Sequence, residues 1–204
     1  MPADDAALAA AVAGADRVLV DVGCGDGRHT VRWAGREPAA LVVGLDAETT
    51  RLDRALAAAR RRRLSGPLFV TWSAGEPLPV LAGRCAVVAV VMPWGSLLDG
   101  ILGGDDAVLR SVLALGAPGA ELSAVVNVRP RDAPASVDLR LAATPEPTAA
   151  HLAGLIERYA ALGWRLAEPA GLTESQARAL GSTWASRVVA ARASRLLRLS
   201  AVRS

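Results

Sequence analysis

One segment constrains the fold of this chain more than any other: residues 18–27 read Val-Leu-Val-Asp-Val-Gly-Cys-Gly-Asp-Gly. The first five are aliphatic except for Asp21, a composition typical of a short strand that is buried on both faces. Glycines alternate through the rest, and residues 28–34 have the pattern of a helix. Glycine lets a backbone approach a ligand closely, and the first N–H groups of a helix have no partner within it. The segment therefore predicts a strand, a glycine-rich turn and a helix start that together bind a nucleotide-type ligand.

The spacing of the glycines separates the possible ligands. A dinucleotide fingerprint needs a glycine three residues after its second one, and counting from Gly25 that position is Arg28. The pattern here is Asp-x-Gly-x-Gly-x-Gly, which resembles the first motif of the S-adenosylmethionine (SAM) dependent methyltransferases with a Rossmann-like fold. In that family the loop holds the methionine part of SAM, and here it would comprise Asp21, Gly23, Cys24, Gly25, Asp26 and Gly27. An ordinary tight turn between a strand and a helix is the alternative.

A second strand supports the cofactor interpretation. Residues 41–45 are again of the buried type, and the strand ends in Asp46, which lies 19 residues after Gly27. An acid about 20 residues beyond such a loop is placed to accept hydrogen bonds from ribose hydroxyls. Asp46 could instead cap the helix that follows, and both interpretations remain open at this point.

The order of the predicted elements indicates the fold class. Strands are expected at 17–22, 41–45, 68–72, 85–92, 121–128, 164–167 and 195–202, and helices at 28–34, 50–62, 105–115, from Thr148 to about Leu162, and after Thr173, where a capping box begins. Alternating strands and helices predict an α/β, Rossmann-like class I methyltransferase fold with a mostly parallel seven-stranded sheet and helices on both faces. Residues 1–204 are expected to form a single domain, with an excursion at 129–147 between the fifth strand and the next helix.

Composition restricts the compartment and the cofactors. Hydrophobic residues make up 52% of the 204 residues, but no apolar run approaches the roughly 18 residues of a membrane span. The first residues are acidic, which argues against a signal peptide. The two cysteines, Cys24 and Cys85, have no metal-ligand neighbours, and His29 and His151 are too scattered for a zinc site. We expect a reduced, cytoplasmic protein without a metal and without a membrane anchor.

The basic residues are all arginine, 23 in number, and they are clustered. Residues 60–63 form an unbroken run, and the C-terminal stretch carries Arg187, Arg192, Arg195, Arg198 and Arg203. Such clusters can neutralise phosphates and indicate nucleic-acid binding. A solvated helix end is the other interpretation, because cations also favour helix C-termini.

The end of the fourth strand is where a substrate is expected, since ligands of open α/β sheets bind at the carboxyl ends of the strands. That end reads Met-Pro-Trp-Gly-Ser at residues 92–96. Trp94 lies between a proline and a glycine, so its ring face is a candidate platform for a nucleobase, with packing as the alternative. Trp33, Trp72 and Trp164 are expected to pack in or beside the core.

Several strings together resemble the aminoglycoside-resistance methyltransferases that modify N1 of adenine 1408 in 16S ribosomal RNA. They are Asp-x-Gly-x-Gly-Asp-Gly-Arg at 21–28, the strand ending at Asp46, Ala-Gly-Glu-Pro-Leu-Pro at 74–79, Met-Pro-Trp-Gly-Ser-Leu-Leu at 92–98, and Gly-Ser-Thr-Trp-Ala-Ser-Arg at 181–187. The first is shared by many methyltransferases, whereas the pair of Pro-Trp-Gly and Ser-x-Trp is far more specific. The resemblance covers nearly the whole chain.

The resemblance implies a role for each matched residue. SAM would lie across residues 23–27 with Asp46 on its ribose, and the residues lining its adenine and the pocket would be Ala74, Gly75, Glu76, Ser96 and Ser182. The target adenine would leave its helix and stack between Trp94 and Trp184. Backbone carbonyls of Met92 and Pro93 would hold its exocyclic amine. N1 carries a free lone pair, so catalysis would rest on alignment rather than on a general base.

The resemblance also implies the partner. The chain would act, as a monomer, on 16S rRNA in the assembled 30S subunit, and the arginines expected to grip the RNA are Arg60, Arg61, Arg62, Arg63, Arg187, Arg192 and Arg195. Relatives carry a basic hairpin before the first strand, and we expect that hairpin to be missing here because the corresponding residues are few and acidic. A small-molecule methyltransferase and a non-catalytic ribosome-binding homologue are the alternatives, and a nicotinamide-dependent oxidoreductase is disfavoured by Arg28.

Overall fold

The parallel half of the sheet consists of five strands in which buried aliphatic residues predominate. The computed structural model describes residues 2–61, 67–129, 144–182, 185, 188 and 195–204. The five strands are β1 (Val18–Val22), β2 (Leu41–Asp46), β3 (Leu68–Thr71), β4 (Cys85–Val91) and β5 (Gly116–Arg129). They lie in the order β3-β2-β1-β4-β5, and each neighbouring pair is parallel. All of β1 is buried, as expected for a central strand covered on both faces.

The other side of the sheet is antiparallel. Strand β9 (Arg195–Arg203) lies between β5 and β7 (Trp164–Leu166) and runs opposite to both. Two strands of two residues each are added to this sheet: β6 (Thr144–Pro145) pairs with β5 in parallel, and β8 (Ala170–Gly171) pairs with β9 antiparallel. The Rossmann-like α/β class is confirmed, but the described sheet has nine strands instead of the expected seven. Seven form one continuous path, and the two additions are too short to produce a detectable period in the sequence.

Helices connect and cover the strands. Those in the described ranges are α1 (Asp5–Ala13), α2 (Arg28–Arg36), α3 (Thr49–Arg61), α4 (Gly95–Ile101), α5 (Asp106–Leu113), α6 (Ala149–Ala161) and α7 (Glu174–Ala179). Thr148 caps α6 by accepting the His151 N–H at 3.0 Å, and Thr173 and Gln176 form the predicted capping box of α7. Within the same ranges no helix has the length and apolar character needed to cross a membrane.

Two of these helices, α1 and α4, are not predicted from the sequence. Helix α1 is rich in alanine, and only Leu8 and Val12 mark its buried face. Helix α4 begins at Gly95, immediately after Trp94, where proline and glycine predict a loop. The residues that follow β4 therefore turn directly into a short helix, and this sets where Trp94 can point.

Strand β5 begins earlier than the sequence predicts, at Gly116 rather than at Glu121. Its pairing with β4 is irregular at Cys85, and the Gly-Ala-Pro-Gly start is typical of a turn. Gly116 packs against Trp164 so closely that a Cβ atom would lie 2.5 Å from the indole ring. Trp72 and Trp164 are buried in the main core and Trp33 packs beside a smaller cluster, as predicted.

Candidate functional site

The glycine-rich loop of residues 23–27 lies at the carboxyl end of β1, between β2 and α2. The amides of Gly23 and Cys24 both donate to the Leu45 carbonyl, at 2.8 and 2.9 Å. Gly23, Gly25 and Gly27 have φ angles of 71°, 57° and 68°, which side chains rarely adopt. At Gly27 a Cβ would also lie 2.3 Å from the Ala55 Cβ atom. The loop can therefore pack under α3 only because Gly27 carries no side chain.

Asp21 is a buried carboxylate beneath this loop, with 1% of its surface exposed. The Thr30 hydroxyl donates to its Oδ2 atom at 2.5 Å, and the Nδ1 atom of His29 lies 3.2 Å from the same oxygen. Both partners come from the first turn of α2. The strand and the helix thus hold a buried carboxyl group beside the loop.

Asp46 ends β2 and connects two parts of the site. Its Oδ2 atom accepts the Gly25 N–H at 2.8 Å, and its Oδ1 atom accepts the Glu48 N–H at 2.9 Å. The second bond orders the turn that leads into α3, as a capping acid would. The first bond brings the carboxylate to the glycine loop, which is where the ribose interpretation requires it. The two interpretations are therefore compatible.

Cys24 lines the second cavity, and its side chain is buried. Burial raises the pKa of its thiol well above the ordinary value, and the carboxylates of Asp21 and Asp46 raise it further. The thiol is therefore neutral near physiological pH, and a neutral thiol reacts poorly.

Two cavities open beside the loop and share Gly23 and Trp94. The first, of about 220 Å³, is lined by Val22, Gly23, Asp46, Ala47, Trp72, Ser73, Ala74, Pro93, Trp94, Gly95, Ser96 and Leu97. The second, of about 290 Å³, is lined by Asp21, Gly23, Cys24, Gly25, Asp26, His29, Glu48, Arg51, Arg54, Val91, Met92, Trp94 and Ser182. Residues from four strand ends and from α3 thus line two neighbouring cavities.

The predicted segment at residues 74–76 enters the site only in part. Ala74 lines the first cavity, whereas Gly75 and Glu76 are not among its lining residues. Gly75 donates its N–H to the Ser111 hydroxyl at 2.8 Å, and the Glu76 carbonyl accepts the Trp72 indole N–H at 3.2 Å. Gly75 therefore joins this turn to α5, and Glu76 holds the Trp72 indole beside the cavity.

Met92 has an unusual backbone at the end of β4. Its φ angle is 58°, a conformation that is strained for a residue with a side chain, and its N–H still donates to the Val125 carbonyl at 2.8 Å. The chain therefore leaves the sheet abruptly, and Pro93 and Trp94 reach the cavity mouth. Trp94 is 68% exposed, in contrast to 6% for Trp72. An indole this exposed contributes little to the core and is available for stacking.

The exposed indole has one cationic neighbour that sequence analysis did not single out. The guanidinium carbon of Arg51, in the first turns of α3, lies 5.2 Å from the centroid of the Trp94 ring. Glu48 forms an ion pair with the Nε atom of Arg51. In the sequence, only the position of Arg51 soon after Asp46 could have indicated a role at the site, because Arg51 and Trp94 lie far apart along the chain.

The segment around Ser182 approaches the site from the far side. Ser182 lines the second cavity, and its hydroxyl accepts the Ala185 N–H at 3.4 Å. Gly181 has a φ of 73°, and a Cβ there would lie 2.6 Å from the Arg32 side chain. Trp184, expected as the second stacking residue, lies outside the described residues.

The predicted RNA-binding arginines are only partly described. Arg60 and Arg61 are exposed at the end of α3, whereas Arg62, Arg63, Arg187 and Arg192 lie outside the described residues. Arg195 is exposed at the start of β9 and forms an ion pair with Glu146. Arg51 and Arg54 add positive charge at the cavity itself, which the sequence did not reveal.

Three features define a class I SAM-dependent methyltransferase. The parallel sheet is continued by an antiparallel β9, the glycine loop lacks the third glycine of the dinucleotide fingerprint, and an acid ends β2. The chain belongs to the 16S rRNA (adenine(1408)-N(1))-methyltransferase family, because the sequence model of the NpmA family matches residues 1–203.

Curated relatives agree with this assignment. The 16S rRNA (adenine(1408)-N(1))-methyltransferase of Streptoalloteichus hindustanus is 37% identical over 181 residues, which are 87% of this chain and 82% of the relative. The enzyme of the same name from Escherichia coli is 25% identical over 194 residues, 91% of this chain and 86% of the relative.

Solved structures are similar over the whole chain. The 16S rRNA methyltransferase KamB gives a TM-score of 0.81 at 33% identity, covering 100% of this chain and 95% of the other. A tryptophan-to-alanine variant of the Catenulisporales acidiphilia enzyme, solved with the cosubstrate SAM, also gives 0.81, at 32% identity, covering 100% of this chain and 92% of the other.

Proposed function

We propose that this chain uses SAM to methylate N1 of adenine 1408 in 16S rRNA and thereby confers aminoglycoside resistance. The observation that carries the proposal is the combination of the family match over residues 1–203 with an exposed tryptophan at the mouth of the glycine-loop cavity. The arginine clusters support an RNA substrate over a free metabolite, because they can neutralise phosphates.

The residues at the cavity fit SAM. Glycines at 23, 25 and 27 keep the loop free of side chains, so the loop backbone can lie close to a ligand. We assign Asp21, Gly23, Cys24, Gly25, Asp26 and Gly27 to the methionine part, Asp46 to the ribose, and Ala74, Gly75, Glu76 and Ser96 to the adenine end. SAM supplies, when bound, a methyl group on a sulfonium centre. Ser182 would line the second cavity on the other side of the bound SAM.

The target base would be bound by stacking. Trp94 offers an exposed indole face, and Trp184 would supply the opposing one. The carbonyls of Met92 and Pro93 would accept the exocyclic N–H groups, and the backbone turn at Met92 supports this because it aims the chain at the cavity. N1 of adenine is already a nucleophile, so these residues need only hold it in line. The positive charge of the methylated base would be stabilised by the indole faces.

The finer features of the partner are also part of the proposal. Arg60, Arg61, Arg62, Arg63, Arg187, Arg192 and Arg195 would contact the RNA backbone of the assembled 30S subunit, which is recognised by shape and phosphate contacts. The chain would act in the cytoplasm as a monomer, and residues 1–204 would form one methyltransferase domain.

The direct test is methyl transfer from labelled SAM to purified 30S subunits, followed by reverse transcription across the decoding site. We expect incorporation and a stop at adenine 1408, because N1 methylation removes the pairing edge of the base. Trp94→Ala is the matched inactive control. Bound SAM without incorporation into 30S subunits would overturn the proposal in favour of a small-molecule or non-catalytic homologue.

A further inference from the structure

The orientation of the exposed Trp94 indole is not explained by core packing. Most of the side chain faces solvent, and its backbone lies between Pro93 and the positive-φ Gly95. An exposed side chain exchanges between rotamers unless a neighbour holds it. Arg51 lies over the ring, with its guanidinium carbon 5.2 Å from the ring centroid.

Arg51 is itself held in place. Its Nε atom is ion-paired with Glu48, and the Glu48 carboxylate also accepts the Thr50 hydroxyl at 2.8 Å. Hydrogen bonds from Thr50 and then Arg51 lower the pKa of Glu48, so the carboxylate stays charged. The Glu48 N–H donates to Asp46. A chain of contacts therefore runs from Asp46 through Glu48 and Arg51 to Trp94.

We propose that Arg51 is a positioning residue for Trp94: its guanidinium, fixed by Glu48, lies against one face of the indole and keeps the other face presented to the target base. The inference rests on the proposed function insofar as Trp94 is the stacking platform. The engagement of Arg51 with both Glu48 and the ring argues that it acts on Trp94 rather than on an RNA phosphate.

The site offers a matched control. Arg54 lies on the same helix, lines the same cavity and carries the same charge. Arg54→Ala therefore measures how far methyl transfer falls when one positive charge is removed from this cavity. If Arg51 acts by orienting the indole, its removal must cost more than the removal of Arg54.

The first experiment is a double-mutant cycle on 30S methylation. We expect Arg51→Ala to lower kcat/KM for 30S subunits about two- to fivefold, the size of one exposed cation–π contact, with SAM affinity unchanged. Arg51→Lys should recover part of the loss, and Arg51→Ala should add almost nothing to Trp94→Ala, because the two act as a unit. The proposal is overturned if Arg51→Ala and Arg54→Ala lower kcat/KM equally. It is also overturned if the fold-losses of Arg51→Ala and Trp94→Ala multiply in the double variant.

Salt dependence separates positioning from phosphate binding. A phosphate ligand contributes to the slope of log affinity against log salt, by about one unit for each contact. We expect the slope for 30S binding to be the same in Arg51→Ala as in the wild type. A slope that falls by about one unit would make Arg51 an RNA ligand and overturn the proposal.

A second measurement needs no substrate. The indole N–H resonance of Trp94, identified by its loss in Trp94→Phe, is expected to shift and broaden in Arg51→Ala and to stay unchanged in Arg54→Ala. An unchanged resonance in Arg51→Ala contradicts the positioning role. A wild-type protein that does not methylate 30S subunits would instead contradict the proposed function, so the two failures are distinguishable.

Discussion

The Asp46 carboxylate accepts the Gly25 N–H at 2.8 Å, so the end of β2 is joined directly to the glycine loop that follows β1. The same carboxylate orders the start of α3 through Glu48. One acid thus connects the backbone loop, the candidate ribose site and the helix that carries Arg51.

Asp46→Asn is expected to weaken SAM binding by about 10- to 100-fold, because hydrogen bonds to a charged group contribute about 1.5–3 kcal/mol. The measurement is calorimetric titration with SAM. Asp53→Asn, which removes an exposed charge from α3, serves as the control and should bind SAM normally. Equal affinities in wild type and Asp46→Asn would remove Asp46 from the cofactor site.

Gly27→Ala is expected to destabilise the fold strongly. The new methyl group would lie 2.3 Å from the Ala55 Cβ atom and 3.0 Å from its Cα atom, in a backbone conformation with a φ of 68°. Left-handed backbone costs about 1–2 kcal/mol and overpacking about 1–3 kcal/mol, so a loss of about 2–5 kcal/mol should appear in urea unfolding. In Gly25→Ala the new methyl group would meet open space, so the unfolding free energy should fall only by the cost of the left-handed backbone. Similar losses in both variants would show that packing under α3 is unimportant.

Trp94→Ala should separate activity from stability. The side chain is 68% exposed, so we expect a change in unfolding free energy within about 0.5 kcal/mol, unchanged SAM affinity, and nearly complete loss of methyl transfer to 30S subunits. Trp72→Ala provides the contrast, since its indole is buried and its removal should cost about 3–5 kcal/mol. Normal transfer by Trp94→Ala would exclude it as the base platform.

Buried thiols should make the fold sensitive to high pH. Burial raises the pKa of Cys85 from 9.0 to about 12, so the unfolded chain releases this proton at a lower pH than the folded one. The stabilising effect is complete below pH 9 and is lost as the pH rises toward 12, by about 1.4 kcal/mol per pH unit. Between pH 7.5 and pH 10, Cys85→Ala should lose about 1.4 kcal/mol less unfolding free energy than the wild type. Equal losses in the two proteins would mean that Cys85 ionises normally in the fold.

Most of the sheet could be predicted because its strands are continuous apolar runs that end at glycine, proline or acid residues. The glycine loop and Asp46 could be predicted for the same reason, since strand, turn and acid follow one another at fixed spacing. Helix α4 could not, because it begins at a glycine and is only seven residues long. Likewise, β6 and β8 depend on strands elsewhere in the chain and have no period of their own.

Features of the candidate site could be predicted from the sequence where they depend on a single short segment of the chain. The exposure of Trp94 could be predicted from its immediate neighbours, whereas its contact with Arg51 could not, because that contact joins α3 to the end of β4. Similarly, Trp72 was assigned correctly to the core, but its second role as a cavity wall depends on the Glu76 carbonyl that binds its indole N–H. Sequence patterns report local structure, and these contacts are long-range.

The position of β9 has a consequence for the order of folding. This strand follows β7 in the chain, yet it lies between β5 and β7, and it is the strand through which β7 joins the described sheet. A chain emerging from its amino end can assemble the parallel strands first, but the β5 edge stays open until β9 arrives. Contacts between residues so far apart in sequence form slowly. The segment that brings Ser182 to the cavity lies between β7 and β9, so a complete site appears only with this late insertion.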